Sequence, residues 1–347
     1  VPESTRSVPR VDLFAVQPFV DASTYASVAA FRTAMARLMD RCVARRHPDV
    51  PAVAVFPEHV GTFLALAPLG RLGARAGSTG VATALALAVR PVGVARAVAR
   101  RGLEGLRNGG VSATALLALG EETRAAYEDV FAGLARASGC TVVAGSALLP
   151  DGDDGAVYNL SLTFAPDGRA CARTRKVNLV PEIEDRMGLA RGDASTLGIA
   201  ETDAGRVGTL ICYDGFAVPH TATEPTWCAV GTELARRGAQ VVAQPAANPW
   251  TWEGRWVHAP AGSRLLRRTQ WQCEGLAAQL AAMEGVRYGV TAHLVGAVLD
   301  QRFEGRSEIL RRDDAGGVSV VADAPRADLS PGSACVVHAR VDAGWDA

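Results

Sequence analysis

The sequence has 347 residues and only one lysine, Lys176, among its 36 basic side chains. Every other cation is arginine. A position that keeps lysine against that background points to a need for a compact ammonium that can change protonation, which a planar guanidinium cannot supply. No C-x-x-C pair occurs among the seven cysteines, which excludes a zinc knuckle or a thioredoxin-like site. Seven cysteines in a chain of this length also make no disulfide scaffold, so a reducing setting is expected. Charge of one sign is not in excess. Lys+Arg and Asp+Glu both number 36 and the pI is near 7.1, which argues against a general nucleic-acid binder. Long hydrophobic runs are missing too. The most apolar stretch, residues 80–89, is stopped by Arg90 and Pro91, short of the roughly 18 residues a membrane span needs. The first ten residues, VPESTRSVPR, hold no apolar run. No signal peptide is read there, and a cytoplasmic location is expected. The formal sequon Asn159-Leu160-Ser161 carries no weight without such a signal.

What is present is a folded composition, 48% hydrophobic and 21% charged. Residues 11–17 read as a buried strand. Asp21 or Ser23 is expected to cap the helix that follows, in which Val28, Phe31, Met35, Leu38 and Cys42 fall at helical spacing. Residues 52–56 form the next apolar strand, and this order indicates an α/β protein. Residues from about 70 to 115 are rich in Ala, Gly, Val and Arg. They read as one or two helices with glycine breaks at Gly102, Gly105, Gly109 and Gly110. Glu121 and Glu122 then open a helix with Tyr127, Val130, Phe131 and Leu134 on its apolar face. Strands are expected at 141–149, 156–164 and 170–178. The acidic turn at 151–155 lacks an EF-hand spacing and reads as a plain hairpin turn. The second half repeats the theme, with strands at 207–212, 240–244, 286–294, 307–310, 318–321 and 335–339. Its helices are expected near 229–237 and, as one long element, at about 263–284.

Both halves look like strands covered by helices on one face only. Two such halves must bury their bare sheet faces against each other, which predicts a four-layer α-β-β-α sandwich. No flexible linker is visible, so residues 1–347 are read as one domain.

Three segments carry candidate chemistry. AVFPEH places Glu58 at the end of an apolar strand. RTRKVNLVPEIE holds Lys176 and Glu184. VGTLICYDGF places Cys212 at a strand-to-loop elbow, where a nucleophile can be presented and backbone N–H groups can face an oxyanion. The other six cysteines, Cys42, Cys140, Cys171, Cys228, Cys273 and Cys335, fall within or beside element patterns and read as core. Lys176 beside Cys212 would raise its thiolate fraction above theirs.

Together these segments resemble the nitrilase, or carbon–nitrogen hydrolase, superfamily. The resemblance extends to Gln17-Pro18, to Arg175-Lys176 with Leu179 and Pro181, and to residues 208–214, 238–242, 283–288 and 303–307. It implies a nitrilase-type sandwich and a catalytic Glu58–Lys176–Cys212 triad, with Glu184, eight positions after Lys176, orienting the lysine or the substrate. Glu58 would act as base and then acid, and Lys176 with the Tyr213 backbone N–H would hold the oxyanion. The implied reaction is cysteine-dependent hydrolysis of a small linear amide or N-carbamoyl compound through a thioester. No metal and no organic cofactor is implied, and a homo-oligomer, at least a dimer, is expected. His59 is expected at the pocket rim.

Departures from the family pattern shape the remaining expectations. The span of 118 positions from Glu58 to Lys176 is long. The surplus is the helical region at about 70–115, read as an insertion forming a lid or a subunit contact, with a membrane-surface helix as the lesser option. Trp227, Trp250, Trp252 and Trp256 could line an apolar substrate pocket, Trp250 first among them. Tyr213-Asp214 follows the cysteine where true nitrilases usually carry Trp-Glu, which leans towards amides. Conversion of a nitrile, N-acyl transfer to an acceptor, and a non-catalytic binding protein on the same fold are the alternatives. A Cys–His protease would need His59, His220 or His293, none of which lies in a papain- or caspase-type context.

Overall fold

The computed structural model describes residues 9–105, 110–153, 155–221, 224 and 226–344. The strand Arg10–Gln17 shows how its layers arise, because all of it but Arg10 is buried. Successive side chains point to opposite faces. Val11, Leu13 and Ala15 enter an apolar cluster with Val207, Val241, Ala243 and Val290. Phe14 and Val16 face the other way, into a cluster with Phe31, Met35, Tyr127 and Phe131, which belong to the helices Val28–Val43 and Gly110–Ser138. With a sheet on one side and helices on the other, the strand must be apolar throughout.

Two sheets result. The seven-stranded sheet runs Cys335–Asp342, Arg10–Gln17, Ala52–Val55, Thr141–Val143, Val157–Phe164 and Ala147–Pro150, with Ala170–Arg175 also paired to Val157–Phe164. The eight-stranded sheet runs Val318–Asp323, Glu308–Arg312, Tyr288–Val298, Val241–Ala247, Gly205–Thr209 and Ile199–Thr202, with Gln301–Phe303 and Phe19–Val20 on Tyr288–Val298. Each has three parallel strands at its centre. The outer face of the second sheet is covered through Val230, Leu234, Leu276 and Leu280 packed with Leu210 and Val242. This is the expected four-layer sandwich.

Several boundaries differ from expectation. Ser27, not Asp21 or Ser23, caps the first helix, its Oγ accepting from Ala30 N at 3.1 Å. The cap must immediately precede the first turn; Asp21 instead accepts from Ser23 N and Thr24 N in the turn before it. No helix begins at Glu121, because Gly110–Ser138 is continuous. The residues before it form a 3-10 segment Thr62–Leu69 and helices Gly70–Ala74, Thr79–Val89 and Pro91–Gly105. Gly102 therefore lies inside a helix, and Gly109 lies outside the described residues. Thr79–Val89 and Pro91–Arg101 meet at 100°, and among the described residues no single helix is long and apolar enough to cross a membrane. The long helix expected at 263–284 is two, Arg267–Glu274 and Leu276–Ala281, parted at Gly275. A Cβ there would lie 2.3 Å from the Trp271 carbonyl oxygen.

The turn after Pro150 joins two antiparallel strands as a hairpin; Asp154 lies outside the described residues. Its Asp151 is buried and accepts from Arg175 Nε at 2.6 Å, Arg173 Nη1 at 3.0 Å and Arg124 Nη2 at 3.2 Å. That clasp fixes the strand that leads into Lys176.

The strand expected at 141–149 is broken between Val143 and Ala147. Gly145 has φ +69°, and a Cβ on it would come 2.1 Å from the Pro57 carbonyl oxygen. Gly145→Ala is therefore expected to cost at least about 1–3 kcal/mol for the left-handed backbone alone, and to push on the peptide that precedes Glu58. Thermal unfolding should show Tm lower by at least about 2 °C. An unchanged Tm would contradict this backbone assignment.

Candidate active site

Chain direction brings three strand ends together, as parallel packing requires. Ala52–Val55 runs into Phe56-Pro57-Glu58, Ala170–Arg175 into Lys176, and Gly205–Thr209 into Leu210-Ile211-Cys212. Cys212 does not end its strand as expected. It opens a 3-10 turn, Cys212–Gly215, with φ +48°. A non-glycine residue in this region is strained and persists only where its surroundings hold it. Gln244 Nε2 donates to the Cys212 carbonyl at 2.8 Å, and Thr291 Oγ1 fixes the other end of that amide at 2.7 Å. Gly215 makes room for this, since a Cβ there would fall 2.2 Å from Gln244 Nε2. Buried Asp214 accepts from the backbone N–H of Asn178 at 2.7 Å, Val177 at 3.2 Å and Ile211 at 3.3 Å. One carboxylate thus ties the segment after Lys176 to the turn that presents Cys212. Burial pushes Asp214 up to about 7, against the pull of those N–H groups and Lys176.

The chain's one lysine is 1% exposed. Its Nζ donates to Glu58 Oε1 at 2.8 Å and to Glu184 Oε2 at 2.6 Å. Asn159 Nδ2 donates to the same two carboxylates, each at 2.9 Å. Ala247 N–H supplies Glu58 Oε2 at 3.1 Å, and Val180 N–H supplies Glu184 Oε2 at 2.8 Å. Burial works against the charged form of Lys176, but the charges of Glu184 and Glu58 outweigh it and hold its pKa well above the usual range. Burial likewise works against ionised Glu184, and Lys176 outweighs it, leaving that carboxyl below its usual range.

The Cys212 thiol donates to the Ala247 carbonyl at 3.5 Å. Burial, then the charge of Glu58, push its pKa far up, and Lys176 offsets only part of this. The thiolate enrichment expected from the sequence is therefore corrected: the resting form is the thiol, and its proton needs a base. The expectation of six core-like cysteines is corrected too, since Cys273 is exposed.

A cavity of about 360 Å³ reaches Glu58, Lys176, Glu184 and Ala247. His59 lines it, as expected of a rim residue, with φ +60° and Nδ1 at 3.1 Å from Thr62 Oγ1. Helices Thr79–Val89 and Gly110–Ser138 form much of its wall. Glu58, His59 and Glu184 offer ligand atoms within 4.8 Å of one another, but the Lys176 ammonium already stands between the two carboxylates and supplies the positive charge.

Trp250, expected to touch substrate, does not line this cavity, and neither do Trp227, Trp252 or Trp256. Their neighbour is Arg267, which is 1% exposed and lies 4.1 Å from the Trp256 ring and 4.7 Å from the Trp250 ring. Among the described residues no carboxylate pairs with this guanidinium, so aromatic faces and Asn248, accepting from Nε at 2.8 Å, take that part. Burial lowers Arg267 to about 9. Tyr213 turns its hydroxyl to Glu224 at 2.7 Å, leaving its backbone at the first turn beside Cys212. His220 and His293 are buried, and neither ring nitrogen of either finds a partner among the described residues. Burial lowers both, His293 to about 3, so they pack as neutral rings and form no Cys–His pair.

Asn159, Asp214 and Gln244 were not singled out as site residues from the sequence. Each interrupts or ends an apolar run, VYNLSLTF, LICYD and VVAQ, and a buried polar group there must find partners. Burial also removes Asn159 from any glycosylation reading.

Glu58, Lys176 and Cys212 thus follow strand ends of an α-β-β-α sandwich. Residues 106–219 match the family model described as carbon-nitrogen hydrolase. A nitrilase from Paraburkholderia phymatum is 38% identical over 64 residues, 18% of each chain. The aligned segments span between about a sixth and a quarter of the curated relatives' length. Two solved structures cover the fold. The carbon-nitrogen hydrolase of Helicobacter pylori G27 is 15% identical with a TM-score of 0.58, covering 97% of this chain and 89% of that one. A Glu-to-Gln mutant of the amidase from Nesterenkonia sp. AN1, described as showing Michael addition of acrylamide at its active-site cysteine, is 15% identical with a TM-score of 0.55, covering 96% and 93%. Over residues 106–219 the chain is similar to the carbon-nitrogen hydrolase family, and its fold is that of these solved structures.

Two outcomes follow from the site. Lys176→Arg should lower turnover by about a hundred- to thousand-fold, the usual cost of one misplaced oxyanion donor. Because the ammonium is wedged between two buried carboxylates, the larger head should also cost about 1–3 kcal/mol in overpacking. Steady-state kinetics and thermal unfolding of the purified variant check both, and near-normal turnover would remove Lys176 from the chemistry. Separately, a limiting amount of a small alkylating agent should modify exposed Cys273 before Cys212. Peptide mapping that finds Cys212 first would show a thiolate there that the buried geometry does not favour.

Proposed function

We propose that the protein hydrolyses a non-peptide C–N bond of a small amide, a linear amide or N-carbamoyl compound, through a thioester on Cys212. The observation that carries this reading is Lys176 Nζ held by Glu58 and Glu184 beside a buried thiol. The cysteine reactivity described for the Nesterenkonia amidase supports giving Cys212 the nucleophile's role.

The thiol first leaves the Ala247 carbonyl and turns to the cavity. Glu58 takes its proton as sulfur attacks the carbonyl carbon. The carbonyl electrons move onto oxygen, beside Lys176 Nζ and the Tyr213 N–H. The first N–H groups of a helical turn have no partner within it, so that donor can serve an oxyanion. Collapse breaks the C–N bond, and Glu58 returns the proton to the leaving ammonia or amine. Water, giving its proton to Glu58, then attacks the thioester. The acid departs and the thiol is restored.

Residues at about 70–115 act in this reading as an insertion over the mouth, which their share of the cavity wall supports. Assembly into at least a dimer in the cytoplasm belongs to the same reading. Exposed Leu72, Val81, Val92 and Val111 give such a contact a place, and sedimentation would measure it.

Intact-mass spectrometry after mixing with a panel of amides, nitriles and N-carbamoyl compounds tests the chemistry. Amides should leave an acyl mass that maps to Cys212, and Cys212→Ala should leave none. An adduct formed with a nitrile alone would transfer the reading to nitrile conversion. A folded protein that no member of the panel acylates would sink it.

A further inference from the structure

Rejection of charge is the cavity's most specific feature. Among the described residues its ionisable lining is His59 and the Glu58–Lys176–Glu184 cluster, whose carboxylates and ammonium are already paired with one another. Among the described residues no arginine lines it, although arginine is the chain's default cation. A carboxylate on the part of a substrate held there would be buried without a counter-charge, at prohibitive cost.

Away from the cluster the wall is aliphatic and built from three helical segments. Leu66 and Leu69 come from Thr62–Leu69, Ala82 and Ala86 from Thr79–Val89, and Ala115 and Leu119 from Gly110–Ser138. Ala82 and Ala86 are four apart and share one helix face. Both are buried, at 7% and 2% exposure, so their small size keeps space open that a larger side chain would fill. The helix carrying them is anchored at its start, where Thr79 N donates to Asp300 Oδ1 at 3.0 Å.

Resting on the proposed amide hydrolysis, we infer that this cavity receives the acyl part of the substrate as an uncharged, apolar chain, and that Ala82 and Ala86 set the chain length accepted. Acetamide leaves most of about 360 Å³ unfilled. Longer acyl chains gain with every methylene buried, and an N-carbamoyl amino acid does not enter with its carboxylate inward.

The test uses a linear series of acetamide, butyramide, hexanamide and octanamide, with glutaramate as the anionic counterpart. The whole chain's kcat/KM should rise about fourfold per added methylene until the cavity is full, and glutaramate should fall at least tenfold below butyramide. Ala86→Phe should lower the octanamide-to-acetamide ratio at least tenfold. Ala82→Val, a smaller change, should move the same ratio in the same direction and covers the case in which Ala86→Phe does not fold. Calorimetric binding of the series to Cys212→Ala reads the cavity without the chemistry. Chain-length-dependent binding with no turnover by wild type would overturn the hydrolytic reading and leave the acyl site standing. Turnover or binding that is flat along the series, or that favours glutaramate, would overturn the acyl site alone.

Discussion

A buried ammonium held by two buried carboxylates is the constraint around which this molecule is organised. Each of the three groups alone would lose several kcal/mol on leaving water, and removing one partner of such a set typically costs about 3–5 kcal/mol. At contact distance an attraction of about 4 kcal/mol per pair is available at an effective dielectric near 20. Lys176 is therefore viable only because Glu58 and Glu184 both face it, and they are viable only because it and Asn159 bridge them. Burial, and then the charge of Glu58, raise the pKa of the Cys212 thiol beside it.

Such a cluster tolerates little displacement, and the scaffold supplies rigidity from every side. The Asp151 clasp with three arginines fixes the strand before Lys176. Asp214 links the backbone after Lys176 to the turn of Cys212, and Gln244 holds the strained Cys212 peptide from the neighbouring strand. The backbone of Ala247 serves two members at once, its N–H donating to Glu58 and its carbonyl accepting from Cys212. Strain collects where the site is: of the four non-glycine residues with positive φ among the described residues, His59 and Leu299 line the cavity and Cys212 is the proposed nucleophile.

Against this polar floor stands an aliphatic wall. The helices that make it are less embedded than the sandwich, with Val81, Val89 and Val92 exposed on their outer side. They carry little of the sheet-to-sheet core and much of the cavity. Changes there can alter what is bound while leaving the proposed chemistry in place, which is the usual division between scaffold and connecting segments.

Much of the architecture was legible because burial on both faces writes itself into sequence: VDLFAVQ and VVAQPAA can only be strands covered on two sides. Lys176 was legible through scarcity, and Glu58 and Cys212 through their places at strand ends. Asn159 was not, since an Asn within an apolar strand declares no partner and both of its partners lie far along the chain. Trp250 misled for the matching reason. Aromatic residues near a cysteine suggest a pocket, whereas a buried Arg267 claims their faces. Nor could sequence show that Cys212 is a protonated thiol, because a nearby lysine lowers a thiol's pKa only if burial and a closer carboxylate do not raise it more. Local pattern determined the layers and the residues able to react. The tertiary structure alone decided who pairs with whom, because buried charges are settled by the neighbours that the fold brings within about 3 Å, not by those adjacent along the chain.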